Sequence, residues 1–358
     1  MEHTRFEASL SAMHRIGAMT MHLVAGRPPC VRVQRRLVEL DAQRITAAEV
    51  DEFVRDLLFA DHRQTLAARG QVEVLYMGRD GSRYRVSVAD CARQRAITFR
   101  SLPDSVPSLQ KLDLPEQVGG LVQHRSGLVL VAGFFGSGRS TTLAALVKML
   151  GEDEGRHIVT IEDSIEFVHG TSKALVHQQE VGRHVAGAAE GIRQAMATGA
   201  DTIVVSELQG EAVLDAAVTA AEAGCLVLCG VESGSVVGAL SELVIGVQPE
   251  RRARLRTRMS RVLRGVTAQY LLPRAHRPGR VAVVEVLIAS PVVRSTIRKG
   301  QFQDLLAIMS RYRGIGMQTT RAALHDLHAA HLISAEDAQL HHSPRADQEE
   351  PASGTRSS

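Results

Sequence analysis

Lysine is nearly missing from this chain of 358 residues: of 42 basic side chains, 4 are Lys and 38 are Arg. Cysteine is scarce as well. Cys30, Cys91, Cys225 and Cys229 have neither the density of a secreted disulfide scaffold nor the paired spacing of a metal clip, so reduced, cytoplasmic thiols are expected and no metal is assigned to them. Cys225 and Cys229 flank the apolar run CLVLC, the pattern of a buried strand. No window approaches the roughly 18 uninterrupted apolar residues of a membrane span, and the opening MEHTRFEASLSAMHRIGAMTMHL is charged ahead of a short apolar stretch, unlike a secretory leader. A strong excess of one charge is also absent. Lys+Arg 42 against Asp+Glu 39 leaves +3, too little to indicate a nucleic-acid partner, and none is expected.

What is present is an ordinary globular balance, 44% hydrophobic and 23% charged, over a length that suggests two domains at about 150 residues each. Residues 1–105 combine a predicted helix around 47–68 with the alternating runs VRVQRRLVEL, QVEVLYM and SRYRVSVA, an α+β pattern. Prolines in SLPDSVPSLQKLDLP then discourage continuous structure and place a hinge near 101–115. From residue 127 nearly continuous apolar strands, GLVLVAG, HIVTIED, DTIVVSE and CLVLCG, alternate with helices, as in a parallel sheet covered on both faces. PERRARLRTRMSRVLRGVTAQYLL reads as one basic helix, GRVAVVEVLI as a further strand, and 291–340 as helical. The basic helix is expected to present a solvated or intersubunit face. The polar residues 341–358 are expected to form a flexible tail.

The most informative segment is Gly133-Phe134-Phe135-Gly136-Ser137-Gly138-Arg139-Ser140-Thr141, between an apolar strand and a helix-like TLAALVKML. This is Walker A spacing with Arg139 in the lysine position. Its glycines permit a tight turn whose amides face phosphate, and the helix behind it offers unpaired N–H groups and a positive dipole end. Ser140 is placed to ligate Mg²⁺. Arg139 keeps the charge, but its planar head is no replica of an ammonium. Glu162, Asp163 and Glu166 follow the second apolar strand and Glu207 the third, on the edge where a parallel sheet presents its ligand. Such carboxylates orient water or Mg²⁺, or merely cap buried strands.

With RSLPDSVPSLQKLDLP, GLVLVAGFFGSGRSTTLAALV, HIVTIEDSIEFVH, LVHQQEVG, AAVTAAEAGCLVL, SPVVRSTIRKG and GIGMQT in this order, the chain resembles the PilT/PilU branch of the type IV pilus retraction ATPases, within the secretion-ATPase superfamily. The resemblance spans nearly residues 1–340. It implies an α/β protein with an N-terminal PAS-like α+β domain (1–105) and a RecA-like P-loop domain (106–340). It also implies a cytoplasmic hexamer binding ATP with Mg²⁺ between subunits and domains, and acting against an inner-membrane platform protein. Gly133, Gly136, Ser137, Gly138, Arg139, Ser140 and Thr141 then form the nucleotide loop. Glu162 matches the water-activating carboxylate, and Glu207 the Walker B acid that acts with Ser140 on the metal. Arg85, Arg93 and Arg100 match an arginine-bearing segment that approaches nucleotide at a subunit boundary, although alternation on a strand would equally make Arg85 and Arg100 surface residues.

The chain departs from that pattern where chemistry should occur. Arg139 replaces the lysine, Ser206 replaces a glycine before Glu207, LQG follows where the family has a Met-Arg-Asp-like run, and Glu232 stands at a histidine position. An anion near phosphate adds repulsion. The expectation is a motor-family nucleotide-binding protein with weakened or absent hydrolysis, in a homomeric ring or a mixed one with a competent paralogue. The alternatives are an active retraction ATPase and a nucleotide-independent scaffold.

Overall fold

The computed structural model describes residues 3–340 except 34–35, 41–42, 92–93, 104 and 171. The expected tail and Arg93 lie outside the described residues. The chain divides into two compact units between Ser105 and Val106.

In the first unit α1 (His3–Ile16), α2 (Ala47–Leu57) and α3 (Ala60–Arg69) accompany β1 (Thr20–Val24), β2 (Cys30–Val33), β3 (Arg36–Glu39), β4 (Gln71–Met77), β5 (Arg83–Cys91) and β6 (Gln94–Leu102). The strands form an antiparallel sheet in the order β3-β2-β1-β6-β5-β4. Alternation decides the faces: Tyr84, Val86 and Val88 are buried, and Arg83, Arg85 and Ser87 point the other way. Phe53 centres the core, 4.9 Å from the Phe6 ring and 5.6 Å from Phe99. The single helix expected over 47–68 is two. A Thr46–Glu49 capping box starts α2, and Leu58 leaves helical geometry so that its side chain enters the core before α3 begins. The segment MTMHL is largely the interior strand β1.

The second unit holds α4 (Glu116–Gly120), β7 (Gly127–Ala132), α5 (Arg139–Leu150), β8 (His157–Glu162), β9 (Leu175–Glu180), α6 (Ala188–Ala197), β10 (Thr202–Val205), α7 (Glu211–Glu222) and β11 (Leu226–Val231). It continues with α8 (Val236–Ile245), α9 (Pro249–Val262), β12 (Leu263–Pro273), β13 (Arg280–Ile288), α10 (Pro291–Lys299), α11 (Asp304–Arg311), α12 (Thr320–Ala329) and α13 (Ala335–Leu340). The sheet order is β13-β12-β7-β11-β10-β8-β9, parallel except for the β12–β13 pair. Every residue of β7, β10 and β11 is buried, which is why these strands read as unbroken apolar runs. Cys229 lies in that core, Cys225 and Cys30 are half-buried, and Cys91 is exposed.

The basic helix is shorter than expected. It ends at Val262, and RGVTAQYLL instead becomes β12, between β7 and β13. Sheet packing overrides the helical pattern there: a Cβ on Gly265 would stand 2.4 Å from Leu121 Cδ2 and 2.6 Å from the Leu287 carbonyl oxygen, so only glycine lets β12 approach its neighbours. Part of the helix's charge is neutralised by α7, through Arg251 to Glu211 and Arg258 to Asp215 and Glu222. β9 is an edge strand that its polar sequence, LVHQQE, did not announce.

Candidate functional site

Parallel registry brings four chain segments to one edge of the seven-stranded sheet. Ala132 pairs with Val231, Val205 with Cys229 and Ile161, and Glu162 with Glu180. The loop after β7, the loop after β11, Ser206–Glu207 and Glu162–Asp163 therefore emerge at the C-terminal strand ends.

The loop after β7 is a glycine-built cradle. Gly136 and Gly138 take left-handed backbone conformations (φ 80° and 88°). Ser137 N–H donates to the Phe134 carbonyl at 3.0 Å, and a Cβ on Gly133 would lie 2.2 Å from Ser137 Oγ. Helix α5 starts at Arg139, with Ser140 exposed and Thr141 half-buried in its first turn. Behind the loop is a residue that the motif did not reveal. Buried Gln269 on β12 donates through Nε2 to the Ser137 carbonyl (3.0 Å) and accepts from Thr142 Oγ1 (2.8 Å), bracing loop and helix at once. Only the strand assignment of β12 would have exposed it.

Arg139 is half-buried and turned along the sheet edge. Its Nη1 donates to the Gly133 carbonyl at 3.0 Å, and its Nη2 lies 3.5 Å from Glu207 Oε2. Gly230 on β11 makes room: a Cβ there would be 2.0 Å from the Ser206 carbonyl oxygen and 3.1 Å from Arg139 Nε. The cation at residue 139 thus joins the loop to Glu207.

Glu162, at the end of β8, accepts from Thr160 Oγ1 at 2.6 Å and from Gln178 Nε2 at 3.0 Å, both at Oε1. Burial raises its carboxyl above the ordinary glutamate range; those two donors pull it back, and the charges of Glu166 and Glu180 push it up further. Gln178, on β9, also donates to the Phe167 carbonyl (2.8 Å) and accepts from His169 N–H (3.0 Å), so one amide fixes both Glu162 and the loop after it. Ser206 is tied to Asp163: its hydroxyl donates to Asp163 Oδ2 at 2.9 Å and accepts from Asp163 N–H at 3.1 Å. A glycine at 206 would lack both bonds.

Glu232 is exposed just beyond β11, the strand between β7 and β10. In the same loop Gly234 lies under the Phe134 ring, where a Cβ would stand 2.8 Å from Phe134 Cε2. In the first unit Arg85 and Arg100 are directly opposed across β5 and β6, both half-buried on the face away from the aromatic core.

These features suit a nucleotide. Among the described residues the buried Ser137 Oγ has no hydrogen-bond partner, and the glycine cradle and the start of α5 offer backbone donors to phosphate oxygens. Ser140 and Glu207 supply oxygen donors of the kind Mg²⁺ takes alongside phosphate and water. Glu162 is a carboxylate whose second oxygen, Oε2, is not used by the two bonds described.

Residues 68–336 match the family model described as "Type II/IV secretion system protein". The type IV pilus retraction ATPase PilT of Pseudomonas aeruginosa is 32% identical over 90% of this chain and 94% of its own length. The type IV pilus ATPase PilU of the same organism is 30% identical over 94% of this chain and 88% of its own. The crystal structure of the pilus retraction motor PilT with bound ADP superposes with a TM-score of 0.85 at 32% identity, covering 94% of this chain and 96% of that one.

Proposed function

Since the chain belongs to the type II/IV secretion system protein family, alongside the type IV pilus retraction ATPases, we propose that it is a motor-family protein that binds ATP with Mg²⁺ on the Gly133–Thr141 loop and hydrolyses it weakly or not at all. Its role is then accessory or regulatory in pilus retraction. It would be cytoplasmic, held at the inner membrane through a platform protein, and assembled as a homohexamer or in a mixed ring with a competent paralogue. No described helix is long and apolar enough to cross a membrane. The PAS-like assignment of residues 1–105, with Arg85, Arg93 and Arg100 reaching nucleotide across a subunit boundary, belongs to the same proposal.

The observation that carries this reading is Arg139 held between the Gly133 carbonyl and Glu207. In this family chemistry the loop cation steadies the β- and γ-phosphates while the Walker B acid orients the metal's water shell. Here each group is occupied by the other, and the wide guanidinium must leave both partners before either task begins. Phosphate binding by the backbone cradle does not depend on that exchange, so occupancy survives where turnover suffers. When bound, Mg²⁺ would supply charge neutralisation at the phosphates. Glu162 would accept the proton of an attacking water, and Thr160 and Gln178 would hold its carboxylate in place.

One monodisperse preparation tests the proposal through equilibrium binding of MgADP and MgATP together with phosphate release. The expected result is binding with little turnover. Ordinary motor-rate hydrolysis that is lost in Glu162→Gln would establish the active retraction ATPase instead. Absence of any nucleotide binding by an assembled protein would favour the scaffold.

A further inference from the structure

Glu285 is a buried carboxylate, 5% exposed, in the middle of β13, and nothing in the nucleotide chemistry uses it. Among the described residues no cation pairs with it. Its charge is met by two helix N-termini. Oε2 accepts the N–H of Val236, the first residue of α8, at 2.8 Å. Oε1 accepts Thr320 Oγ1 at 2.8 Å and, more weakly, Thr320 N–H at 3.4 Å, at the first residue of α12. Both helices also carry hydroxyl caps: Ser235 accepts from Gly238 N–H and Thr319 from Ala322 N–H. The carboxylate is therefore additional to the ordinary caps, and it sits where two positive dipole ends converge.

The two helices lead to different places. Helix α8 follows the Glu232–Ser235 loop, whose Gly234 lies against Phe134 of the phosphate cradle. Helix α12 follows GIGMQT, a motif that the sequence singles out without assigning it a task. Gln318 of that motif exchanges backbone hydrogen bonds with Val286, one residue along from Glu285, and its Nε2 donates to the Val284 carbonyl. Pinned to β13 on both sides of Glu285, the motif presents Thr320 to the carboxylate.

We propose that Glu285 is a positioning residue that ties the Glu232–Ser235 loop to the N-terminus of α12, so that displacement of the loop at the phosphate cradle is passed to the C-terminal helices. A buried, satisfied carboxylate is a stiff link, because releasing either partner leaves charge without a donor in a site of low dielectric. Its input rests on the nucleotide reading above; its mechanics do not.

The test is hydrogen exchange on the full chain, reading the peptides that cover 232–240 and 318–326. Adding MgADP to the parent protein is expected to change exchange in both by about threefold or more. In Glu285→Gln the charge facing both helix N-termini is lost, and Nε2 can meet Thr320 only by donating to its hydroxyl and no longer accepts its N–H, so the 232–240 response persists while the 318–326 response falls by about half or more. Thr320→Val cuts the same link from the other side and serves if the glutamine variant fails to fold. A ligand-free arm uses Gly234→Ala, whose Cβ would stand 2.8 Å from Phe134 Cε2, so that the loop or the exposed ring must shift. It should alter both peptides in the parent background, and only 232–240 when combined with Glu285→Gln or Thr320→Val. Responses at 318–326 that are unchanged in both variants overturn the link, as does Gly234→Ala altering 232–240 but leaving 318–326 unaffected in the parent. If MgADP does not bind, the nucleotide reading fails and the Gly234→Ala arm alone decides.

Discussion

Arg139 Nη2 lies 3.5 Å from Glu207 Oε2 while the same guanidinium donates to the Gly133 carbonyl, so one side chain links the glycine loop after β7 to the carboxylate that follows β10. Shortening and rounding that cation should release it. Arg139→Lys is expected to raise steady-state phosphate release by about tenfold or more, equivalent to about 1.4 kcal/mol of barrier, with little change in MgADP affinity. Unaltered turnover in a folded, nucleotide-binding lysine variant would remove Arg139 from the explanation.

With Glu162 in its proposed role as base, its environment sets the pH dependence. Its carboxyl is raised chiefly by burial, so the acid limb of phosphate release should lie above the ordinary glutamate range. Thr160→Val, which deletes one of the two donors holding the anion, should move that limb higher still. Turnover in Glu162→Gln should drop by about a hundredfold or more, read in the Arg139→Lys background if the parent is slow. Stability follows the same sign. The folded state binds this proton more tightly than the unfolded chain, so the site's contribution is complete below the unfolded pKa and is lost as pH rises through the folded one. Glu162→Gln should therefore show a higher Tm than its parent above that window and no advantage below it.

Gln269 offers a test of the cradle that is independent of charge. Gln269→Leu fills similar volume but leaves the Ser137 carbonyl and the Thr142 hydroxyl buried without their partner. Urea denaturation should record a loss of about 1–3 kcal/mol. MgADP affinity should weaken with it, since the same amide braces both the loop and the first turn of α5.

At Gly230 the prediction is steric. A methyl group there meets the Ser206 carbonyl oxygen at 2.0 Å, a backbone atom that cannot rotate away. Gly230→Ala should cost about 1–3 kcal/mol in denaturation and separate Arg139 from Glu207. A neutral substitution would mean that β10 and β11 part more easily than their shared burial implies.

Strands buried on both faces and helices between them were legible because unbroken apolar runs such as GLVLVA and CLVLC have few other homes. The phosphate cradle was legible because glycine spacing encodes backbone shape directly. Local pattern misled at Leu58, where one side chain's entry into the core splits a helix, and at RGVTAQYLL, where sheet position outweighs the helical run before it. Gln178, Gln269 and Thr160 were invisible as site residues for a different reason. Neutral amides and hydroxyls acquire meaning only through partners far along the chain, and 132 residues separate Gln269 from Ser137. The sequence named Arg139 as anomalous, but its pairing with Glu207 required the parallel sheet to bring strand ends together.

The placement of the four thiols gives an experimental handle. Cys229 is sealed in the sheet and its thiol is raised by burial, Cys225 and Cys30 are half-buried and raised in the same way, and Cys91 stands exposed at the end of β5. Because thiolate and access together govern alkylation, a maleimide dye should label the unmodified chain first at Cys91. The native protein thus carries a fluorophore position confined to its first unit, which reports on the surroundings of that unit with and without nucleotide and needs no engineered cysteine.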